Sequence, residues 1–166
     1  MASVNMVHEI DCDLERFWKI FFDEDVTKQT YVRLGFPKWE LVDQKETDTE
    51  IIRTVKAIPK LDLPGPAQKL LGDGFGYTEE GRFDKAKKVY KFVIKPSTLA
   101  DKLKNEGTVR AEAIDGGKRT KRIVDLVIEA KIFGVGGMLE KATEKGNREG
   151  WTEGAKFINE WLKKNP

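Results

Sequence analysis

The sequence predicts an α+β fold, in which a curved antiparallel sheet of about seven strands packs against one long C-terminal helix. Two observations predict this fold. Apolar residues alternate with a period of 2 over residues 39–133, as in half-buried strands, and they return to the helical period of 3.6 from there to about Lys163. No linker or internal repeat divides the chain, so we expect one domain that spans residues 1–166.

The first elements are predicted to be one strand and two short helices. Residues 4–10 alternate as a strand does. The first helix follows Asp13, whose carboxylate can accept hydrogen bonds from free backbone N–H groups. The second is predicted over 25–34, with Asp25 as its cap and Gly35 as its end. The first helix has a single apolar face, formed by Leu14, Phe17, Trp18, Phe21 and Phe22.

Three hairpins and two inserts are predicted for the central segment. The strand pairs are 39–44 with 50–58, 76–83 with 89–95, and 107–114 with 119–133. The insert 59–76 is rich in proline and glycine and is predicted to hold a short helix after Pro64. The insert 96–106 is predicted to be a turn with a helical piece. The final helix follows Gly137 and would span about 40 Å at 1.5 Å per residue.

A row of small residues runs along one face of the final helix. Ala142, Gly146, Gly150 and Gly154 recur every fourth residue, although each glycine in a helix costs about 1 kcal/mol relative to alanine. Such a row allows close approach of a neighbouring backbone, which is the usual role of glycine in a helix. It can also leave empty volume between helix and sheet. Both interpretations require the helix to be pressed onto a concave sheet.

Composition excludes several classes of function. The chain has 30 basic and 28 acidic residues, well mixed, so we expect no nucleic-acid partner. No apolar run approaches the roughly 20 residues of a membrane helix, so we expect no stable membrane insertion and leave transient membrane contact open. The N-terminus lacks the features of a signal peptide, and Cys12 is the only cysteine. We therefore expect a cytoplasmic protein without disulfide bonds.

Residues that commonly carry catalysis or hold cofactors are scarce. His8 is the only histidine, so we interpret it as a hydrogen-bonded strand residue and not as a metal ligand. Neither Ser3 nor Ser97 has the context of an activated nucleophile. The glycine-rich segments 72–76 and 133–141 both depart from phosphate-binding patterns. We expect no metal and no cofactor, and we favour a non-enzymatic role while leaving catalysis open.

Polar residues within the predicted strands are candidates for a small number of inward-facing groups. Most of them should face solvent on the convex side of the sheet. One or two that point inward could orient the head group of a ligand or act as an acid or base. These residues are Arg53, Glu79, Arg110, Glu112, Arg122, Asp125 and Glu129.

Three segments resemble proteins of the START-like superfamily, which share the helix-grip fold. They are DLERFWKIFFDED (13–25), IKPSTLADKLKNEGTVR (94–110) and KIFGVGGMLEKATEKG (131–146). The superfamily includes START domains, Bet v 1 plant allergens, polyketide cyclases and activators of the Hsp90 ATPase. Within it, the Phe-Trp pair, the Pro96–Ala100 turn and the Gly-Gly before Glu140 are most similar to a bacterial family whose function is uncharacterised.

This resemblance implies a deep apolar cavity between the sheet and the final helix, used for lipids, sterols, polyketides or similar molecules. It also implies that the 59–76 insert forms a mobile mouth, with Leu71 among its apolar residues. The leading hypothesis is a carrier or sensor of a hydrophobic small molecule. The expected ligand-binding residues are Leu63, Leu70, Phe75, Tyr77, Tyr90, Phe92, Arg110, Gly146, Gly150 and Trp151.

Two alternative functions use the same fold. The first is an enzyme of the cyclase or dehydratase kind, with Glu112 or Asp125 as base beside Arg110 or Arg122. A buried acid–arginine pair facing the cavity would favour it. The second is a protein-interaction module of the Hsp90-activator kind. It predicts a collapsed cavity and an exposed apolar patch, with Trp39 and Trp161 outside the core.

Overall fold

The structure, a computed structural model, describes all residues from 1 to 166 and contains seven strands and four α-helices. The strands are β1 (Ala2–Ile10), β2 (Lys38–Glu46), β3 (Glu50–Ile58), β4 (Tyr77–Asp84), β5 (Val89–Pro96), β6 (Leu103–Ile114) and β7 (Arg119–Ala130). The helices are α1 (Leu14–Phe21), α2 (Glu24–Arg33), α3 (Gly65–Leu71) and α4 (Gly136–Lys164). A single 3₁₀ turn, Asp115–Gly117, connects β6 to β7.

The seven strands form one antiparallel sheet in the order β1-β7-β6-β5-β4-β3-β2. The sheet curves around α4, which packs mainly on β1 and β7, while α2 lies between α4 and β2. This arrangement is the helix-grip fold, with two short helices after the first strand, and it confirms the predicted fold class. None of the four helices combines the length and the apolar composition needed to cross a bilayer.

Local sequence signals explain where the two short helices begin. Asp13 accepts a hydrogen bond from the backbone N–H of Arg16 at 2.8 Å and caps α1, as predicted. The prediction of Asp25 as the cap of α2 is wrong. Asp23 fills that position and accepts from the backbone N–H of Val26 at 2.9 Å. Asp25 lies in the first turn, where its negative charge interacts favourably with the positive end of the helix dipole.

The core joins the aromatic face of α1 to the inner face of the sheet. Trp18 packs on Phe83 of β4 with ring centroids 4.5 Å apart, and both side chains are buried. Phe21 and Phe22 extend the same cluster to Tyr90 of β5. These rings close one end of the concave surface. They therefore determine where empty space can remain beneath α4.

The strand register places the longer loops at one end of the sheet. Ala57 pairs with Tyr77, Tyr77 with Pro96, and Leu103 with Ala130, so these residues share that end. The segment 59–76 leaves from it and contains α3, as predicted. The segment 96–106 contains no helix, contrary to prediction. Its second half continues the alternation of β6, because strand pairing with β7 extends to Leu103.

Candidate functional site

A cavity of about 350 Å³ lies between the concave face of the sheet and α4. Its walls come from the inner faces of β3 to β7, one side of α2, and the middle of α4. The 59–76 segment contributes Leu61, Leu63, Leu71 and Phe75 at the end of the sheet where the long loops emerge. Apolar side chains make up about half of the lining residues. The volume lies within the roughly 300–1,000 Å³ typical of small-molecule sites.

The glycine row of α4 borders this cavity. A Cβ atom added at Gly146 would meet no atom within 4 Å, and one at Gly150 would meet only Leu34 Cδ1, at 4.0 Å. At Gly154 the same atom would contact Thr30 of α2, at 3.5 Å. Close packing, the usual role of such a row, therefore applies only at Gly154. Gly146 and Gly150 leave volume open beside the cavity.

A buried polar cluster lies on the sheet side of the cavity. Arg53 is 7% exposed, and its guanidinium donates to the Glu79 carboxylate, Oε2, at 3.3 Å. The Tyr90 hydroxyl donates to the same oxygen at 2.6 Å, and Arg53 Nε lies 3.3 Å from that hydroxyl. Arg53 also donates to the backbone carbonyl of Phe21 at 3.1 Å. The cluster thus contains an acid–arginine pair, and the side chains of Arg53, Glu79 and Tyr90 all line the cavity.

Gly81 allows this cluster to form. It lies directly opposite Arg53 on β3, and Phe92 on β5 is its other cross-strand neighbour. A Cβ atom at this position would overlap the ring and hydroxyl of Tyr90. Because glycine has no side chain, the phenol lies flat across β4 and reaches Glu79 on the same strand.

The chain has three tyrosines, and all of them line the cavity. Burial raises the pKa of each phenol, and the nearby Glu79 carboxylate raises it further at Tyr31 and Tyr90. At Tyr77 burial and Tyr31 are the two largest causes of the raised pKa. The phenols therefore stay protonated at neutral pH and can act as hydrogen-bond donors. Tyr31 is held in place by stacking on Trp39, with ring centroids 5.5 Å apart.

A second arginine, Arg122, lines the cavity beside α4. It is 3% exposed and its Nη2 donates to the backbone carbonyl of Trp151 at 2.8 Å. Its Nη2 also lies 3.1 Å from Nδ1 of His8, whose Nε2 lies 3.1 Å from the Thr152 hydroxyl. Since arginine can only donate, Nδ1 of His8 is the acceptor. His8 is thus a hydrogen-bonded strand residue, as predicted.

Eight of the ten expected ligand-binding residues line the cavity, and two do not. Leu70 is 40% exposed and does not line the cavity, whereas the next residue of α3, Leu71, does. Arg110 is on the convex face, 3.4 Å from Asp125 in an exposed ion pair. The eight residues that line the cavity are Leu63, Phe75, Tyr77, Tyr90, Phe92, Gly146, Gly150 and Trp151.

The error at Arg110 follows from strand alternation. Its neighbour Val109 is fully buried, so the adjacent residue on β6 must point to the opposite face. The same reasoning removes both of the proposed catalytic acids. Asp125 faces outward with Arg110, and Glu112 pairs with Lys121 at 3.2 Å in an exposed position. Neither carboxylate reaches the cavity.

The most polar residues of the cavity were not among the expected ligand-binding residues. Arg53, Glu79 and Arg122 belonged to the larger set of strand residues whose facing was undecided. A signal was available in each strand, because Arg53 alternates in phase with the apolar residues Ile51 and Val55. Tyr31 had no such signal, since α2 lacks a clear apolar face.

The fold was compared with solved structures. A protein from Thermus thermophilus is 19% identical, with 96% of this chain and 95% of that chain covered and a TM-score of 0.65. The Zhui aromatase/cyclase from Streptomyces sp. R1128 is 15% identical, with 97% and 95% covered and a TM-score of 0.66. A START superfamily protein from Mycobacterium smegmatis is 15% identical, with 99% of both chains covered and a TM-score of 0.60. At such low identities the likeness concerns the fold.

Sequence comparisons give a narrower result. A comparison with curated proteins finds no match. A family model described as a protein of unknown function, DUF2505, matches residues 5–162. This match begins within β1, ends within α4 and includes every residue of the cavity described above. The chain therefore belongs to the DUF2505 family and has the helix-grip fold of START-like proteins.

Proposed function

We propose that this chain binds a small, largely apolar molecule in the cavity between the sheet and α4. The observation that carries the proposal is the cavity itself, because a closely packed core would leave no such volume beside Gly146 and Gly150. Apolar burial would supply most of the affinity, at roughly 25 cal/mol per Å² before ordering costs. The eight expected residues that line the cavity are proposed to contact the ligand.

The polar groups of the cavity support a ligand that also carries oxygen. The hydroxyls of Tyr31 and Tyr77 make no hydrogen bond within the chain and border the cavity beside the Glu79 cluster. A hydroxyl or carbonyl oxygen on the ligand would provide the missing partner, which favours an oxygenated aromatic or terpenoid over a plain hydrocarbon chain.

Mass spectrometry of the purified protein tests this proposal. The protein is exposed to a bacterial total lipid extract and to a set of oxygenated aromatic compounds, then analysed in its native state and after solvent extraction. A Gly150→Trp variant places an indole in the open volume of the cavity. Gly137→Trp serves as the matched control, since it lies on the same helix, is exposed and does not line the cavity.

We expect wild type and the Gly137→Trp variant to retain a defined compound that the folded Gly150→Trp variant loses. Retention by all three proteins would place binding elsewhere on the molecule. If none of them retains a compound, the cavity has no ligand among those supplied and the proposal fails for these chemical classes.

A second candidate function is an enzyme of the cyclase or dehydratase kind. The buried Arg53–Glu79 pair favours it, because such a pair facing the cavity is the arrangement this reaction class needs. Glu79 Oε2 already accepts from both Arg53 and Tyr90, which leaves Oε1 free to take an α-proton from a carbonyl compound. A tyrosine hydroxyl would then donate to the enolate oxygen.

Proton exchange at a ketone tests the second function. We expect wild type in D₂O to accelerate exchange of the α-protons of 2-tetralone, followed by NMR, and the Glu79→Gln variant to return the rate to that of buffer. Equal rates with and without wild-type protein would count against a Glu79 base for this ketone, while leaving the binding proposal intact.

The interaction-module alternative receives less support. It required a collapsed cavity and tryptophans outside the core, whereas the cavity is open. Trp39 stacks on Tyr31, and Trp161 packs against the hydrophobic core.

A further inference from the structure

Arg122 carries a buried positive charge that no acidic side chain neutralises. It takes part in no ion pair, in contrast to Arg53, which lies 3.3 Å from Glu79. Both of its hydrogen bonds, to the Trp151 carbonyl and to His8, are made by Nη2 and go to neutral acceptors. Nε is buried without a partner. The face of the Trp151 ring, 4.9 Å from the guanidinium carbon, gives further but partial stabilisation.

Such an arrangement is unusual because buried charges are normally paired. Burial lowers the pKa of Arg122 to about 10, so the group is still protonated at neutral pH. A buried lysine can lose its proton and so avoid the cost of burying a charge, but Arg122 keeps its proton and its charge. An anion that comes from outside the chain would compensate this charge.

The position of Arg122 suits the inner end of a bound ligand. On β7 it pairs with His8 and Ala111, eight residues from Ala130 at the loop end of the sheet. That separation is about 26 Å at 3.3 Å per residue. Apolar lining residues such as Phe92, whose partner Gly107 pairs with Leu126, and Ile128 lie between the two ends. A molecule that entered from the loops would therefore reach Arg122 with its leading group.

We propose that the natural ligand is an amphipathic anion, whose carboxylate or equivalent acidic group binds Arg122 at the inner end of the cavity. The apolar body would extend from there towards the 59–76 segment. This inference rests on the proposed function, because it assigns the chemical class of the ligand that the same cavity binds. Arg122 contributes the charge, and Tyr31, which lines the same cavity, is positioned to contribute a neutral donor.

Two fluorescent probes that differ by one acidic group test the inference. They are 8-anilinonaphthalene-1-sulfonate and its neutral counterpart N-phenyl-1-naphthylamine, each titrated into wild type and an Arg122→Met variant. Arg110→Met is the matched control, since it removes an arginine from the outer face of the same sheet. Methionine replaces a buried unpaired charge with an apolar group of similar length, a change that proteins often tolerate.

We expect Arg122→Met to weaken binding of the sulfonate at least tenfold while the neutral probe binds as well as before. Arg110→Met should change neither affinity. An unchanged ratio of the two affinities in Arg122→Met would overturn the anion inference and leave the binding proposal standing. Failure of both probes to bind wild type would overturn the binding proposal, and the inference with it.

A measurement on wild type alone covers the case in which the variant does not fold. Laurate and methyl laurate, which share one chain and differ in charge, are used to displace the bound neutral probe. We expect laurate to displace it at a concentration at least tenfold lower. Equal potency, or greater potency of the ester, would contradict the role assigned to Arg122.

Discussion

Arg53 and Glu79 face each other diagonally across β3 and β4, and the strand register explains why they meet. Arg53 pairs with Gly81 and Val55 pairs with Glu79, so the two charged side chains are offset by two residues on the same face. The rings of Phe21, Phe22 and Tyr90 surround the guanidinium at 4.9–5.4 Å. Burial lowers the pKa of Arg53, but Glu79 and Tyr90 outweigh it, and the net pKa is raised.

Removing one member of this pair should destabilise the protein strongly. We expect Arg53→Met to lower the free energy of unfolding by about 3–5 kcal/mol, because Glu79 would stay buried without its cation. The control is Arg82→Met, whose partner Glu50 lies on the outer face of the same two strands. That exposed pair should contribute less than about 1 kcal/mol. Urea denaturation measures both, and equal effects would show that burial does not set the strength of the inner pair.

Gly81 permits a second prediction at the residue scale. We expect Gly81→Ala to lower the free energy of unfolding by about 1–3 kcal/mol, since the added methyl group would overlap Tyr90 and force the phenol to move. Gly65→Ala is the control, because a Cβ atom there meets nothing within 4 Å. Thermal denaturation compares the two variants. A neutral Gly81→Ala would mean that Tyr90 has room to move away without loss.

Among the elements, α2 has a particular role because it forms a side wall of the cavity. Thr30, Tyr31 and Leu34 line it, and Arg33 at the end of the helix pairs with Glu153 and Glu160 of α4. Val26 is the only buried residue of the helix, so burial of its apolar side chains contributes little to its stability. Its N-terminal cap is therefore important for the shape of the site.

The cap of α2 gives a prediction at the element scale. We expect Asp23→Ala to cost about 0.5–2 kcal/mol, because it leaves the Val26 N–H without its acceptor. Asp25→Ala, two residues further along in the same turn, should cost less, since its carboxylate accepts no backbone hydrogen bond. Chemical denaturation of the two variants measures both losses of stability. A larger loss for Asp25→Ala would restore Asp25 as the capping residue.

At the scale of the whole molecule, the sheet and α4 enclose the cavity, and the longer loops lie at one end of it, beside Tyr77, Pro96 and Ala130. The turns at the opposite end are short, whereas the 59–76 segment places α3 beside the opening. One face of the sheet therefore carries the candidate site, and the other presents exposed ion pairs such as Arg110 with Asp125.

His8 connects the packing of α4 on the sheet to pH. Burial, together with the charge of Arg122, lowers the pKa of His8 from 6.5 to about 4. Between these values the unfolded chain binds a proton that the folded chain does not, so stability falls as pH is lowered through this range and is fully present above it. The slope cannot exceed the one-proton limit of about 1.4 kcal/mol per pH unit, and solvent screening of the partly exposed ring reduces the total effect.

This linkage is testable because the chain has a single histidine. We expect the free energy of unfolding of wild type to decrease between pH 7 and pH 5, and a His8→Gln variant to show a weaker decrease. Urea denaturation at several pH values gives both curves. Parallel curves would assign the pH dependence to other groups.

The sequence by itself determined the elements and their order. The change of hydrophobic period, the cap at Asp13, the hairpin of 107–114 with 119–133 and the glycine row of α4 are local signals. The structure contains each of them, and the glycine row borders the cavity. Resemblance of short motifs then indicated the helix-grip fold. Two boundaries were predicted wrongly. At α2, Asp23 and Asp25 are both suitable capping residues, and in 96–106 a helical and a strand period both fit the sequence.

Only the tertiary structure decided which partners the polar residues of the strands have. Arg53 and Arg110 are both charged residues within predicted strands, yet one meets Glu79 inside and the other meets Asp125 outside. The reason is that a strand alternates every residue, so a shift by one reverses its faces. Pairing across strands and beneath α4 depends on register and curvature, which arise from contacts between residues far apart in the chain.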